Sequence, residues 1–202
     1  IYATDSKRIA INKSELNDFI FDFSLKPQII DLICNTLDNV ISICLGTKYL
    51  LFKDSKNNEI YYPIEDKPTF DFTKLLDKQF KFNFDTNAKL FASSIEFLQI
   101  YMSQRTDISK RIIAWRNDTL RIVDKGTSIE TKIPVSKFFD FTIFFDSNNL
   151  LGCLKQFYNN EISISMNSAL EAVKITCNNN ECIVMPMKCL NDPFVNKEEV
   201  AK

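Results

Sequence analysis

At 202 residues, 45% apolar and 25% charged with a formal net charge of −1, the chain has the make-up of a soluble globular protein of one large or two small domains. Disordered, collagen-like and membrane-spanning classes are excluded, because no window approaches eighteen uninterrupted apolar residues. Histidine is absent, which removes the usual proton-transfer group near neutral pH and the commonest metal ligand.

The amino end, Ile1-Tyr2-Ala3-Thr4-Asp5, has neither the basic stretch nor the apolar run of a secretory signal, so a cytoplasmic location is expected. It begins inside a strand-like run and without methionine, so the chain reads as part of something longer. Six cysteines (Cys34, Cys44, Cys153, Cys177, Cys182 and Cys189) form no Cys-x-x-Cys pair and are expected as reduced, buried small hydrophobes. Three glycines are too few for a glycine-rich phosphate cradle. No metal or cofactor is expected.

Tyr2 to Asn12 reads as a strand that closes an incomplete unit. Phe19 to Phe23 is a further strand, then Ser24 is an N-cap with Pro27 in the first helical turn, and Ile29, Ile30, Ile33 and Leu37 share a helix face. Val40 to Leu45 alternates as a strand does, and Asp54 to Asn58 marks a turn before a strand ending Tyr62-Pro63-Ile64. The layout then recurs. Phe80, Phe82 and Phe84 precede Asp85 as cap and a helix with Phe91, Ile95, Leu98 and Met102 inward; Arg111 to Trp115 follows, then the turn Arg116 to Asp118 and a strand ending Ile133-Pro134-Val135. It recurs again as Phe141 to Phe145, Asp146 as cap, a helix with Leu150, Leu151, Leu154 and Phe157 or Tyr158 inward, Glu161 to Met166, the turn Asn178 to Asn180, and Met185-Pro186-Met187. Phe23-Ser24, Phe84-Asp85 and Phe145-Asp146 stand 61 residues apart. Three copies of strand, helix and three strands give an α+β class, each copy ending on a proline that marks an edge or an exit from the sheet.

Ile1-Tyr2-Ala3-Thr4-Asp5-Ser6-Lys7-Arg8-Ile9-Ala10 and Cys182-Ile183-Val184-Met185-Pro186-Met187-Lys188, bracketing this repeat, resemble two motifs of the bacterial DNA polymerase III beta subunit, the sliding clamp. The resemblance implies a DNA clamp fold with antiparallel sheets outside and helices lining the inner face. It implies the second half of the middle domain at residues 1–73, an interdomain linker at 74–78, the C-terminal domain at 79–189 and a tail at 190–202. It further implies a non-catalytic processivity factor that closes as a homodimeric ring on duplex DNA and docks linear peptides of DNA polymerase, clamp loader and repair proteins.

The docking groove implied by the resemblance comprises Thr4, Ser6, Lys7, Arg8 and Ile9, then Phe70, Lys74 and Leu75, then Leu170, Ile183, Val184, Met185, Pro186, Met187 and Lys188. Flexible thioethers suit leucine and phenylalanine anchors, and Arg8 and Lys188 suit polar or acidic peptide groups. Ser6 and Lys7 replace the family's glycine and histidine, and Phe70 stands where proline is common, which implies a bulkier, more basic groove. DNA-facing, helix-borne candidates are Lys26, Lys89, Arg105, Lys110, Arg111 and Lys155, without base readout. The tail lies past the family's usual end; Phe194 either folds back into the groove as a competitor or belongs to a disordered, charged terminus. Two other readings stand: a clamp-derived interaction module that no longer closes a ring, and a carboxylate hydrolase using Asp5, Asp71 or Asp140.

Overall fold

The computed structural model describes residues 2–4, 7–12, 23–64, 78–103, 111–122, 129–189 and 192–194. They fall into two units, Ile1–Glu15 with Lys78–Lys202, and Leu16–Asp77.

The first unit holds two complete copies of the repeat. One is β6 (Phe82–Asn87), α2 (Ala88–Ser103), β7 (Ile112–Arg116), β8 (Thr119–Ile122) and β9 (Glu130–Lys132). The other is β10 (Ile143–Asp146), α3 (Ser147–Lys155), β11 (Glu161–Met166), β12 (Val173–Cys177) and β13 (Asn180–Val184). Each copy lends its first strand to the other's sheet. β10 pairs with β7 in a sheet ordered β10-β7-β8-β9, and β6 pairs with β11 in a sheet completed by β1 (Tyr2–Thr4) and β2 (Arg8–Asn12), ordered β1-β2-β13-β12-β11-β6. All of these pairs are antiparallel.

One apolar core joins the inner faces of both sheets to α2 and α3, with Phe91, Ile95, Leu98, Leu150 and Leu154 buried as the helical spacing requires. At its centre Trp115 packs edge-on against Phe84, Phe91 and Phe139, with ring centroids 5.7, 5.2 and 5.2 Å away. Its indole N–H donates to the Asn117 carbonyl at 2.7 Å, so the polar end of the ring is satisfied inside the core.

The second unit packs α1 (Pro27–Thr36) on a sheet of β3 (Val40–Leu45), β4 (Tyr49–Asp54) and β5 (Glu59–Pro63). Its core is Ile33, Leu37, Leu50, Phe52 and Tyr62, while Ile30 is exposed. The predicted strand at 19–23 lies outside the described residues except for Phe23, which packs against this core.

Turn chemistry matches the sequence reading. Asn57, Asn117 and Asn178 take left-handed conformations with φ of 64°, 53° and 52°, which asparagine tolerates better than most residues. The Pro63 and Pro134 strands end sheet edges, whereas the chain leaves the sheet at Met185-Pro186. Only one of the three predicted caps holds: the Asp146 carboxylate accepts from the backbone N–H groups of Asn148 and Asn149. Asp85 lies within β6 and accepts from the Ser163 hydroxyl, and Asn87 caps α2 instead, accepting from the Leu90 N–H at 3.1 Å. Lys26 rather than Ser24 precedes α1, with Pro27 starting it.

The cysteine expectation is also corrected. Cys153 of α3 and Cys182 of β13 are paired as a disulfide with Cα atoms 6.0 Å apart, and Cys34 and Cys44 are exposed.

Asp54 is fully buried at the end of β4 and organises the turn into β5. Burial alone raises its pKa, but the Asn58 side-chain amide and the backbone N–H groups of Asp38, Asn58 and Lys56 outweigh it, lowering the pKa from 3.8 to about 2. A depressed folded-state pKa contributes stability that is complete above the unfolded value and lost as pH falls through the folded one. Acid unfolding of the chain is therefore expected to show a component between pH 3.8 and about pH 2 that Asp54→Asn lacks. Superimposable acid titrations of the two proteins by circular dichroism would refute this.

Candidate functional site

Strand register brings the two bracketing motifs together. β2 lies against β13 with Arg8 opposite Val184 and Ile9 opposite Ile183, and β1 folds back to place Thr4 opposite Ile9. Past the last pair, the Met185 N–H donates to the Lys7 carbonyl at 3.0 Å, and the Thr4 hydroxyl donates to the Arg8 carbonyl at 2.8 Å. The Met187 N–H then donates to the Phe144 carbonyl of β10 at 2.7 Å, so the departing chain bridges the two sheets. The loop from β11 to β12 carries Leu170 and emerges at the same end of the sheet, where Met166 finishes one strand and Val173 starts the next. Asn167 fixes that loop, accepting from the Lys81 N–H at 2.7 Å and donating to the Gln79 carbonyl at 3.0 Å. The Lys78 ammonium pairs with Glu171 and holds its carboxyl below the usual range.

Side-chain alternation sorts these residues by face. Val184 and Cys182 point into the helix-side core, so Arg8 and Ala10 opposite them share that face, while Ile9, Ile11 and Ile183 take the other. Ile9 and Ile183 are buried; Leu170, Met185, Met187, Lys7 and Lys188 are exposed and Pro186 is half-buried. The outcome is a buried aliphatic floor with exposed thioethers and cations at its rim. Ser6, Phe70, Lys74 and Leu75 lie outside the described residues.

Arg8 meets α3 rather than Ile9's face. A Cβ added to Gly152 would fall on the Arg8 guanidinium, well inside van der Waals contact with Nη1 and 3.3 Å from Cζ. Glycine inside a helix costs about 1 kcal/mol relative to alanine, and a guanidinium tip on a flexible stem moves aside cheaply. Gly152→Ala is therefore expected to hold or raise the unfolding midpoint while displacing Arg8. A loss of stability above about 1 kcal/mol in denaturant titration would show instead that the guanidinium is locked in place.

The DNA-facing candidates divide. Lys89 lies in the first turn of α2, with its ammonium 5.9 Å over the Tyr158 ring, and Lys155 ends α3, paired with Glu96 at 3.0 Å. Arg111 ends a 3-10 turn just before β7 and is exposed, whereas Lys26 is not within a helix: it is exposed just before Pro27 at the start of α1. Arg105 and Lys110 lie outside the described residues. The solvent face of α2 carries Leu90, Phe97, Ile100 and Tyr101, so it is more apolar than basic. An open cavity of about 580 Å³ lies between that helix and β9, away from the docking candidates, and is lined by Leu90, Ser93, Phe97, Lys132, Ile133 and Pro134 among others.

Of the hydrolase carboxylates, Asp5 and Asp71 lie outside the described residues and Asp140 is exposed. Among the described residues no cluster of three or more histidine, cysteine, aspartate or glutamate side chains is placed to hold a metal ion. Among them, too, no helix is long and apolar enough to cross a membrane. Sequence reasoning missed Gly152, whose signal was a glycine inside an apolar-periodic helix, and Arg121, considered below.

Two repeats that exchange first strands around shared helices define a class: this is the fold of bacterial DNA sliding clamps. The DNA polymerase III beta subunit of Thermotoga maritima matches at a TM-score of 0.79 and 17% identity, over 93% of this chain and 54% of that one. The Bacillus subtilis DNA polymerase sliding clamp matches at 0.76 and 19%, and the Helicobacter pylori beta clamp bound to a DNA ligase peptide at 0.71 and 15%; each match covers 93% of this chain and 53% of the other. The chain thus spans about half the length of these clamps. No family model and no curated protein matches the sequence.

Proposed function

We propose that this chain is the peptide-docking part of a DNA sliding clamp, an accessory factor without catalysis of its own, working in the cytoplasm. Residues 1–73 act as half of a middle domain, 74–78 as a linker and 79–189 as a C-terminal domain. The observation that carries the reading is the register of β2 on β13, which sets Thr4, Lys7 and Ile9 beside Ile183, Met185 and Met187 at one end of one sheet. An aliphatic floor rimmed by methionines and lysines accepts the leucine or phenylalanine anchors of linear peptides from DNA polymerase, clamp loader and repair proteins. The test is a fluorescence-anisotropy titration of the 202-residue chain with a labelled DNA ligase peptide of the kind bound by the Helicobacter pylori clamp. Saturable binding, competed by unlabelled peptide, is expected; a flat titration would overturn the reading.

Encircling duplex DNA requires further clamp domains joined to this half. The exposed Phe97, Ile100 and Tyr101 of α2, beside β9 at the end of its sheet, support closure into a homodimeric ring through this surface. For the chain alone, DNA binding is weak and falls steeply with salt. One observation favours the alternative of an interaction module without ring closure: Lys155 on α3, a DNA-facing candidate, is offset by Glu96.

A further inference from the structure

Among the described residues beyond the second bracketing motif, Asp192, Pro193 and Phe194 are held away from the docking site. Asp192, Pro193 and Phe194 sit on the outer face of the four-stranded sheet, where the Arg121 guanidinium lies 4.5 Å from the Phe194 ring centroid and donates from Nη1 to the Pro193 carbonyl at 2.7 Å. The Asp192 carboxylate accepts from the Phe194 N–H at 2.9 Å, which closes the turn that presents the ring. Arg121 is itself held, since its Nε donates to Glu130 on the neighbouring strand at 3.1 Å. Its position is therefore set before the tail arrives.

The cross-strand row at this level is Phe144, Ala114, Arg121 and Glu130, on the face opposite the Trp115 core. Phe144 and Ala114 are nonetheless buried. Met187 is bonded to the backbone of Phe144 at one end of the row, and Pro193-Phe194 is bonded to Arg121 two strands away, about 10 Å at normal strand spacing. The two anchors thus flank Ala114, and the chain between them begins at the exposed rim residues Met187 and Lys188.

We infer that Asp192-Pro193-Phe194 is a strap, clamped by Arg121, that pre-orders Met185 to Lys188 as the rim of the peptide-docking surface, so that Arg121 and Phe194 are positioning residues for docking. This rests on the docking reading above and deepens it. A rim already held in place has less side-chain and backbone freedom to lose when a peptide binds, so the strap raises affinity without touching the peptide.

The strap is tested apart from the docking reading by hydrogen exchange on the full chain, followed at the Met185 and Met187 amides, whose acceptors are the Lys7 and Phe144 carbonyls. In Phe194→Ala both amides exchange faster with the unfolding midpoint unchanged, Phe194→Trp restores protection because indole is the better cation acceptor, and Glu130→Gln leaves it in place. Unchanged protection in both Phe194→Ala and Arg121→Ala overturns the strap. Affinity for the labelled ligase peptide then falls about three- to tenfold in Phe194→Ala and recovers in Phe194→Trp. If protection is lost and affinity is unchanged, the coupling to docking is overturned. If the wild-type chain does not bind the peptide, the docking reading fails while hydrogen exchange still decides the strap.

Discussion

Trp115→Ala is expected to destabilise the chain by about 3–5 kcal/mol, measured by urea titration followed by circular dichroism. The indole has no exposed surface and is ringed by Phe84, Phe91, Phe139 and Phe145, so truncation leaves a cavity walled by rings that belong to two strands, a helix and the segment before β10. Collapse into that space is restricted because Asn117, which accepts the indole N–H, also accepts the Phe139 N–H on its side chain at 2.8 Å. Removing the indole frees the Asn117 carbonyl, but a turn carbonyl reaches water easily, so the cavity dominates over the lost hydrogen bond. Trp115→Phe separates the two contributions by keeping most of the volume, and a loss near 1–2 kcal/mol is expected there. A deficit below about 1 kcal/mol in Trp115→Ala would mean that the aromatic cluster is not the keystone of this unit.

Period and turn chemistry made the repeat legible, and they did so for a physical reason: each helix buries one face and each hairpin needs a residue that tolerates positive φ. Phe91, Ile95 and Leu98 are buried where the spacing put them, and Asn57, Asn117 and Asn178 turn where they were placed. Partner choice is a different matter. Nothing in the alternation of Phe82 and Phe84 says that β6 pairs with β11 rather than with its own repeat's β7, because periodicity reports burial and not the neighbour. The α2 cap was misplaced at Asp85 because an aspartate that follows an apolar run reads as a cap, yet its carboxylate accepts from the Ser163 hydroxyl on β11, and Asn87 two residues on caps the helix. At the candidate docking site the motifs named residues but not their faces. One strand register sends Arg8 to α3 and Ile9 to the other side, and the glycine that makes room for Arg8 belongs to the other repeat. The tail's anchor was invisible because Arg121 lies 72 residues from Pro193 in sequence.

Met187→Ala is expected to weaken binding of the ligase peptide by about 1–3 kcal/mol, roughly 5- to 150-fold in Kd, with the unfolding midpoint unmoved. The separation of the two readouts follows from exposure. Met185 and Met187 keep 41% and 36% of their surface open to solvent, so shortening either opens no cavity, whereas a peptide that covers them takes the thioether out of water. Ile183 cannot serve the same purpose: at 1% exposure its truncation costs about 2–4 kcal/mol of stability and confounds any loss of affinity. Arg8→Ala is a further arm, because its guanidinium rests on the α3 face opposite Ile9 and reaches a bound peptide only around the strand edge. If docking uses the Ile9 and Ile183 face, Met187→Ala outweighs Arg8→Ala. If Arg8→Ala costs more while Met187→Ala costs nothing, the peptide lies on the helix side of the sheet and the methionine rim has no part in holding it.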